Sequence, residues 1–578
     1  MLPGGGAMHL NDSVGRCAGI EYVCCLHEQA CSIAAEAYSR VSGGLGVAMV
    51  TSGPGGTNAI TGLAGAWLES TPCLFLSGQV KRADLKKGLG VRQFGPQELD
   101  IVTVVQSITK YAVTVIDPTT IRYHLERAVS EATSGRKGPV WIDIPLDVQA
   151  TQIEPAEQEG YEAKPESLEL GNAYNLVKKT IAMLNAAERP VLLIGNGVRL
   201  GGASENLLTL VEQLRIPVLA TWMGADLLYA GHPLFFGKPG TIAPRGANFT
   251  VQNSDFLLCI GARLDTAVTG FDQTKFARGA CKVVVDIDPC ELGKLRMDVD
   301  LPISMDARAF ISGLLDQVGN LVPRDRSPWL ERCAEWEARY PVVLSEWRST
   351  SGFVNSFVLS EMLAEESSEG DLVVPGSSGA AIDTFWMAFR NKRGQRVFST
   401  GGLGAMGFGI PAAIGACLAG GRRRTLTVDG DGGFQMNIQE LATVARLGLP
   451  IKFFILNNQG YGSIRSMQRN HFNGHLVACD SSSGLVLPNT LRVAKAYGIS
   501  TSRISNQDGL RERVREVLEH PGPMVCEVML DPDQVVAPRV SSVVRPDGSM
   551  ASRPLEDMWP FLDREEFEAN MLIPVLED

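Results

Sequence analysis

The chain has 578 residues, enough for three or four domains around large cores, which excludes a small module. With 45% hydrophobic and 20% charged residues it is neither disordered nor collagen-like, and its 61 glycines favour tight turns and backbone-lined ligand loops. The net charge of −11 is spread without long runs of one sign, so the chain offers no basic surface for a nucleic acid.

The cysteines and the hydropathy pattern indicate where the protein works. The 12 cysteines are scattered through apolar stretches, and the adjacent pair Cys24 and Cys25 lacks the spacing of metal ligands, so we expect reduced thiols. No segment reaches the ~18 uninterrupted apolar residues of a membrane span, and the start of the chain has no signal-peptide pattern. We therefore expect a soluble, cytoplasmic protein with neither membrane nor nucleic acid as a partner.

The first third of the chain alternates short apolar strands with helical patterns, which is typical of a parallel sheet with crossover helices. Strands are predicted at residues 47–51, 73–77 and 140–144. This pattern predicts a doubly wound α/β domain over residues 1–150. The stretch from 150 to 170 is rich in Glu, Pro, Gln and Gly without apolar periodicity, so it is predicted to be a linker.

Two further α/β blocks follow. The middle block, residues 171–330, has predicted strands at 190–194, 217–220, 255–260 and 282–286. The third block, residues 355–535, has them at 372–374, 424–428, 451–456 and 523–528. Residues 536–578 form a C-terminal extension. The predicted fold class is therefore α/β, with three doubly wound parallel-sheet domains and this extension.

Two strand ends in the third block carry polar motifs. One strand runs into Asp429-Gly430-Asp431-Gly432-Gly433, and after a helix the next strand ends at Asn457-Asn458-Gln459-Gly460. Either motif alone could be an ordinary turn, but ligands bind at the carboxyl ends of parallel strands, where Asp431 and Asn458 can converge. With the Gly460 carbonyl they are hard oxygen ligands suited to Mg²⁺, and the glycines leave N–H groups open to a phosphate. The pair predicts a metal-bound diphosphate.

Gly-Asp-Gly followed after a helix by Asn-Asn resembles the thiamine diphosphate signature, and nearly the whole chain resembles the acetolactate synthase family. The likeness lies in residues 3–6, 27–30, 51–58, 401–409 and 430–434. The resemblance implies that the three blocks are a pyrimidine-binding domain, a central FAD-binding-like domain and a domain that binds thiamine diphosphate and Mg²⁺. It also implies that one helix and one strand of the first domain are missing before Met1.

The resemblance assigns the cofactor's essential acid to Glu28, in the first turn of a predicted helix with an apolar face. A hydrogen bond from this acid to the pyrimidine ring lets the cofactor's own amino group take the C2 proton. The Gly404 carbonyl would accept a hydrogen bond from that amino group, and the Met406 side chain would wedge between the two rings of the cofactor. Met406 could also be an ordinary core residue. The other predicted catalytic residues are Gly5 and Gln97, and the other predicted cofactor contacts are Gly430, Gly432, Gly433 and Tyr461.

The middle block resembles the flavin site of the same family. Glycine turns beside strands are a weak signal, because any α/β protein has them. By resemblance, FAD would contact Arg136, Gly195, Gly197, Gly261, Arg263, Asp286 and Asp288. Because carboligation transfers no net electrons, the flavin would have a structural role. The alternative is a domain kept as scaffold without flavin.

The resemblance implies a thiamine diphosphate-dependent transferase or lyase that decarboxylates pyruvate and transfers the two-carbon unit to a carbonyl acceptor. Pro96 and Met467 replace a Phe and a Trp of the family, and residues 461, 463 and 465 also differ, so the acceptor pocket is not the standard one. Residues 8–12 and the extension resemble enzymes that transfer acetyl to a keto nucleotide sugar in branched-chain deoxysugar formation.

Other classes stay open. A 2-keto acid decarboxylase or lyase is less favoured, because no adjacent His-His pair is present. An oxidase would need the flavin to take electrons, and a non-catalytic subunit is disfavoured by intact Glu28, Asp431 and Asn458.

In this family Glu28 would come from one subunit and the diphosphate site from the other, which implies a homodimer or a dimer of dimers. The extension, with Trp559, Phe561 and Phe567, could pack over the surface or cover the active-site mouth and exclude water.

Overall fold

A computed structural model describes residues 1–163, 170–544 and 550–576. Within these ranges the chain forms three parallel-sheet α/β domains, with sheets of four, five and six strands, and the predicted fold class is confirmed. None of the helices in the same ranges is both long and apolar enough to cross a bilayer.

The first domain is built on four parallel strands, β1 Gly46–Val50, β2 Cys73–Gln79, β3 Tyr111–Thr114 and β4 Val140–Pro145, in the order β1-β2-β4-β3. Its helices are α1 Met8–Arg16, α2 Glu28–Ser42, α3 Pro54–Asn58, α4 Ile60–Leu68, α5 Ile101–Val105, α6 Ile121–Thr133 and α7 Leu146–Gln149. Strand β4 is buried on both faces, as helices on the two sides of a parallel sheet require. Phe75 and Trp141 stack in this core with ring centroids 5.3 Å apart.

The central domain has five parallel strands, β5 Pro190–Ile194, β6 Val218–Ala220, β7 Phe256–Ile260, β8 Cys281–Asp286 and β9 Leu301–Ser304, in the order β6-β5-β7-β8-β9. Its helices are α8 Leu170–Ala186, α9 Gly197–Leu200, α10 Ser204–Leu214, α11 Arg245–Gln252, α12 Thr266–Thr269, α13 Pro289–Gly293, α14 Ala307–Asp316 and α15 Ser327–Arg339. Residues 164–169 of the predicted linker lie outside the described residues.

The third domain has six parallel strands, β10 Leu372–Val373, β11 Arg396–Val397, β12 Thr425–Gly430, β13 Ile451–Asn457, β14 Ser500–Ile504 and β15 Met524–Met529, in the order β11-β10-β12-β13-β15-β14. Its helices are α16 Ser356–Glu366, α17 Gly379–Ala388, α18 Gly409–Ala419, α19 Asp431–Gln435, α20 Leu441–Leu447, α21 Gly462–His471, α22 Thr490–Ala496 and α23 Leu510–Glu519. Strands β12 and β13 pair in register from Thr425 with Ile451 to Gly430 with Leu456. The two polar motifs therefore leave the sheet side by side.

The C-terminal extension consists of an antiparallel pair, β16 Ser542–Val544 and β17 Met550–Ser552, and helix α24 Arg564–Ala569. It packs on the central domain: Asn248 Nδ2 donates to the Leu555 carbonyl (2.8 Å) and Trp336 Nε1 to Asn570 Oδ1 (2.9 Å). Phe567 is buried in the same contact. The described part of the extension thus covers helices α11 and α15, and its residues 545–549 lie outside the described residues.

Helix α2 of the first domain packs along α18 of the third. The helices approach so closely that a Cβ on Gly415 would overlap the Ala34 carbonyl. The start of α2 is fixed as well, because Leu26 N donates to Glu440 Oε1 (2.8 Å) and Asn437 Nδ2 to Gln29 Oε1 (3.2 Å). The position of Glu28 relative to the third domain is therefore set by rigid elements.

Asp143 on β4 is 1% exposed and lies in a polar cluster inside the first domain. Its Oδ1 accepts from Ser77 Oγ (2.6 Å), and its Oδ2 accepts from Gln79 Nε2 (3.0 Å) and Thr114 Oγ1 (3.2 Å). Burial raises the pKa of Asp143 to about 7, against the effect of these hydrogen bonds.

Asp143→Asn should become more stable relative to the wild type as the pH rises. The folded pKa lies above the ~3.9 of an unfolded Asp, so between about pH 4 and pH 7 the carboxyl is ionised in the unfolded chain but still protonated in the folded one. The wild type therefore loses stability as the pH rises through this range, whereas Asn does not titrate. Urea unfolding at pH 5 and pH 8 should show the variant gaining about 2 kcal/mol relative to the wild type between the two values. Exposed Asp508→Asn is the control, and an equal difference at both pH values would contradict the shifted pKa.

Candidate functional site

The carboxyl ends of β12 and β13 are tied together by Asp431. Its Oδ1 accepts from the Gly432 amide (2.9 Å), and its Oδ2 accepts from the Gly460 amide (3.0 Å). The side chain is 4% exposed, and burial raises its pKa to about 6 while the two backbone N–H groups oppose the shift. The structure thus brings two of the predicted metal ligands into direct contact.

Asn458 and Tyr461 lie around the same point. The Asn458 carbonyl accepts from Arg465 Nη2 (2.8 Å), and its side-chain amide lies where a Cβ on Gly462 would overlap it. The Tyr461 ring covers Gly432 so closely that a Cβ there would overlap the ring. The predicted residues of the two motifs therefore form one cluster.

Ser378 and Asp429 complete this cluster and were not predicted. Ser378 Oγ donates to Asp429 Oδ1 (2.7 Å), as does the Gly430 amide (2.9 Å). Among the described residues Asp429 Oδ2 has no hydrogen-bond partner, although the side chain is 1% exposed, and burial raises its pKa to about 6. The sequence signal was an acid that interrupts the buried strand β12.

The cluster has the chemistry of a cradle for a phosphate and a cation. Ser378 is the N-cap of α17 but makes no side-chain cap, so the first N–H groups of this helix are left for another acceptor. A Cβ on Gly433 would overlap the Ser378 hydroxyl, so only glycine leaves the space open. In the described ranges no three His, Cys, Asp or Glu side chains group as a metal site, so a metal here would need Asp431 with amide and main-chain oxygens, a set that fits Mg²⁺.

The loop from Gly401 to Gly407 borders this cradle. Gly404 has φ +65° and lies beside Ser377, whose Oγ would be 3.6 Å from an added Cβ. Met406 is half-buried, and the Gly407 carbonyl accepts from Asn437 Nδ2 (2.8 Å). The predicted contacts Gly404 and Met406 are thus close to the diphosphate cradle.

Glu28 is the first residue of α2 and is 8% exposed, unlike an acid on a solvated helix face. Among the described residues its one hydrogen bond comes from Asn58 Nδ2 to Oε2 (3.0 Å), which leaves Oε1 open. The N-cap His27 accepts from the Gln29 amide at Nδ1 (3.0 Å), so the helix start is well defined.

Gly5 and Gln97 lie on the open side of the first domain, beside the residues that follow β1. Gly5 is exposed, and a Cβ there would have no atom within 4 Å. Gln97 is exposed with φ +63°, and its carbonyl packs on Gly53. Glu98 holds the segment from residue 86 to residue 97 in place, because its two carboxylate oxygens accept hydrogen bonds from the backbone amides of Lys86 (2.5 Å) and Phe94 (2.7 Å).

Helix α21 carries three residues that were predicted to differ from the family pattern. Arg465 is 3% exposed and donates to the carbonyls of Asn458 and Pro532, each at 2.8 Å. Ser463 is packed against Gly379 at the start of α17, whereas Met467 is 45% exposed. The inner side of α21 therefore supports the cradle, and its outer side is free to differ.

A second cavity lies where the three domains meet. It encloses about 1220 Å³, its open mouth included. Of the predicted flavin contacts, five line it: Arg136, Gly197, Gly261, Arg263 and Asp286. Gly195 lies beneath its floor, where a Cβ would overlap the Gly261 carbonyl, and Asp288 pairs with Arg136 at its edge (2.7 Å).

The cavity combines cations and carboxylates, as a nucleotide requires. Burial opposes ionisation of Asp288, but the Arg136 guanidinium and the Cys290 amide hold its pKa below the usual range. Burial raises the pKa of Asp286, which accepts from the Asp288 amide (3.0 Å). Arg263 has φ +57° and donates to the Leu68 carbonyl (2.7 Å) and to Asp265 Oδ2 (2.8 Å). Guanidinium groups suit phosphates, and carboxylates suit ribose hydroxyls.

Arg136 of the first domain was a predicted contact, but sequence reasoning missed two other residues of this cavity. Glu69 from the first domain and Gly401 from the third both line it. The available signal for Glu69 was an acid between the apolar helix α4 and the buried strand β2.

Comparison with known families gives matches in each domain. Residues 1–104 match the family "Thiamine pyrophosphate enzyme, N-terminal TPP binding domain", residues 177–314 match "Thiamine pyrophosphate enzyme, central domain", and residues 377–528 match "Thiamine pyrophosphate enzyme, C-terminal TPP binding domain". The range 177–314 covers the whole central sheet, 377–528 covers most of the third sheet, and 1–104 covers β1 and β2 of the first sheet.

Whole-length relatives agree with these matches. The chain is 34% identical over 560 residues to the "Probable acetolactate synthase large subunit" of Methanocaldococcus jannaschii, covering 94% of this chain and 92% of that protein. It is 33% identical over 554 residues to "Acetolactate synthase 1, chloroplastic" of Nicotiana tabacum, covering 93% and 80%. It is 32% identical over 554 residues to the "Acetolactate synthase large subunit" of Lactococcus lactis, covering 94% and 92%.

Proposed function

The chain belongs to the acetolactate synthase family of thiamine pyrophosphate enzymes, and we propose that it is a thiamine diphosphate-dependent carboligase. It would decarboxylate pyruvate and transfer the two-carbon unit to a carbonyl acceptor. The observation that carries this proposal is the glycine-lined cradle at the ends of β12 and β13, with Asp431 bonded to Gly460. A decarboxylase or lyase that releases the two-carbon unit is the alternative within the same chemistry.

Asp431, Asn458 and the Gly460 carbonyl would hold Mg²⁺, and Gly430, Gly432, Gly433 and the start of α17 would bind the diphosphate. Two buried carboxyl groups in the cradle support this assignment, because burial raises the pKa of both Asp431 and Asp429. A divalent cation would compensate charges that are otherwise costly to bury. Tyr461 would close the cradle over Gly432.

When bound, thiamine diphosphate supplies the reacting carbon, C2, and the amino group that takes its proton. Glu28 would hold a proton at Oε1 and donate it to the pyrimidine nitrogen, because Asn58 already occupies Oε2. The Gly404 carbonyl would accept from the amino group, and Met406 would separate the two rings. Gly5 and Gln97, on the open side of the first domain, would contact the substrate.

FAD would occupy the cavity between the domains, with Arg136 and Arg263 on its phosphates and Asp286 on a ribose. The combination of guanidinium and carboxylate groups supports a dinucleotide, and its role would be structural, since carboligation needs no electron transfer.

The assembly would be a homodimer or a dimer of dimers. The family resemblance is the main support for this proposal, and large apolar side chains exposed on the first and third domains are compatible with it. They include Tyr22, Tyr38, Phe472 and Val486, which are 51%, 42%, 59% and 80% exposed. The cytoplasmic location stays a prediction.

A keto nucleotide sugar is the alternative acceptor, and one feature supports it. The segment that Glu98 holds, next to Gln97, presents Lys87 and Arg92 to solvent. Two exposed cations beside a substrate residue suit an acceptor that carries phosphate groups.

Glu28→Gln should slow exchange of the bound cofactor's C2 proton by about 10²- to 10⁴-fold, because an amide cannot supply the proton. Thiamine diphosphate affinity should stay within a few-fold, since the diphosphate cradle is untouched. Exchange is followed by NMR after acid quench. Glu205→Gln, also in the first turn of a helix but exposed, is the matched control. Unchanged exchange in Glu28→Gln would remove Glu28 from this role.

Asp431→Asn should weaken binding of Mg²⁺ and thiamine diphosphate together, by at least about tenfold, because the metal loses its charged ligand. Calorimetric titration of the cofactor at several Mg²⁺ concentrations measures both. The variant Asp508→Asn in the same domain should bind as the wild type does. Wild-type affinity and Mg²⁺ dependence in Asp431→Asn would contradict the metal assignment.

Labelled pyruvate, offered with 2-keto acids and keto nucleotide sugars, should give CO₂ and a product with a new carbon–carbon bond. Mass spectrometry and NMR identify that product. Acetaldehyde as the sole organic product would indicate a decarboxylase, and oxygen uptake an oxidase. If the acceptor is a keto nucleotide sugar, replacing Lys87 and Arg92 by Gln should raise the KM for that sugar and leave the KM for pyruvate unchanged.

A further inference from the structure

Glu69 sits at the junction of the three domains. It follows α4, is 6% exposed, and lines the central cavity together with Arg263 and Gly401. Its Oε1 accepts from the Gly402 amide, and its Oε2 lies 3.8 Å from Arg40 Nη2. One buried carboxylate therefore touches the cavity wall and the main chain of the loop from Gly401 to Gly407.

The same loop reaches from the cavity to the diphosphate cradle. At its start, a Cβ on Gly402 would lie 3.0 Å from Glu69 Oε1 and 3.6 Å from Arg263 Nη1. Further along, Gly404 lies beside Ser377 and Gly407 is held by Asn437. A shift of Gly402 would thus be passed on to Gly404 and Met406 within a few residues.

The chain entering this loop is pinned from the first domain. Arg40 pairs with Glu36, donates from Nη1 to the Ser399 carbonyl (2.8 Å), and lies over the Phe398 ring at 5.4 Å. With Ser399 fixed in this way, the bond between Glu69 and Gly402 directly joins the cavity wall to the loop, next to Met223, which lies against Gly401.

We propose that Glu69 is a positioning residue that couples the central cavity to the loop from Gly401 to Gly407, so that FAD and thiamine diphosphate strengthen each other's binding. The inference rests on the proposed function. A dinucleotide against Arg263 would exclude water from the bond between Glu69 and Gly402, and a charge-assisted hydrogen bond is stronger in a drier environment. Because linkage is reciprocal, the effect of each cofactor on the other has the same size.

The experiment measures thiamine diphosphate affinity with Mg²⁺ by calorimetry, without FAD and at saturating FAD. Trp222 lines the cavity and stacks on Trp386 at 5.9 Å, so quenching of tryptophan fluorescence reports FAD occupancy. In the wild type FAD should tighten thiamine diphosphate binding by about 5- to 100-fold, and thiamine diphosphate should tighten FAD binding by the same factor.

Glu69→Asp keeps the buried charge beside Arg40 and Arg263 but withdraws it from Gly402, and Glu69→Gln removes the charge. Both should bind each cofactor alone, with the coupling factor reduced to within about twofold of 1. The matched control is Glu291→Gln, which lies on α13 of the central domain and removes an ion-pair partner of Arg136 (2.7 Å). It should weaken FAD binding and retain the coupling factor.

Hydrogen exchange separates coupling from a loss of structure. In the wild type FAD alone should slow amide exchange in residues 400–408, and in both Glu69 variants it should not, while exchange elsewhere in the chain stays unchanged. Two results would overturn the coupling and leave the proposed function standing. One is a wild type that binds both cofactors with a coupling factor of 1, and the other is an unchanged coupling factor in the Glu69 variants. Failure of the wild type to bind thiamine diphosphate or FAD would overturn the proposed cofactors and the coupling with them.

Discussion

The close packing of α2 on α18 is the contact on which the geometry between domains depends. It needs glycine at position 415, because any side chain would meet the Ala34 carbonyl. Once the helices are in contact, Glu28 at the start of α2 has a fixed position against the third domain, and Arg40 near its end reaches the chain entering the Gly401 loop. One helix therefore positions the proposed acid and also restrains the chain that enters the Gly401 loop.

Asp143 on β4 and Asp429 and Asp431 at the carboxyl end of β12 are all buried. They differ in whether neighbouring groups satisfy their hydrogen-bonding capacity. Asp143 has a raised pKa, but both its oxygens accept hydrogen bonds from neighbouring side chains, so it completes a core. Asp429 keeps an oxygen with no partner among the described residues, and Asp431 has only backbone donors beside open glycines. The unpartnered oxygen of Asp429 and the backbone-only partners of Asp431 leave room for a cation in their coordination, which is why the cradle, and not Asp143, carries the proposed chemistry.

The sequence predicted the interior of each sheet better than its edges. Every predicted strand is present, whereas β3, β9, β11 and β14 were not predicted, and each lies at the edge of its sheet. Edge strands are half-exposed or very short, so they lack the apolar run that burial on both faces imposes. The site followed the same logic: strand-end motifs located Asp431 and Asn458, but the contact of Ser378 with Asp429 and that of Glu69 with Gly402 form only through tertiary packing, which no local pattern encodes.

Donor and acceptor chemistry would rest on different kinds of structure. The proposed cofactor residues lie at the ends of buried strands and at the start of a packed helix. A larger side chain at these positions would overlap the backbone or another buried side chain. Of the residues predicted to differ from the family pattern, Arg465 is 3% exposed and supports the cradle, whereas Pro96 and Met467 lie on exposed surfaces. Such surfaces accept substitution at little cost in stability. We therefore expect Pro96 and Met467 to bear on the acceptor, whereas the predicted differences at Ser463 and Arg465 lie against the cradle itself.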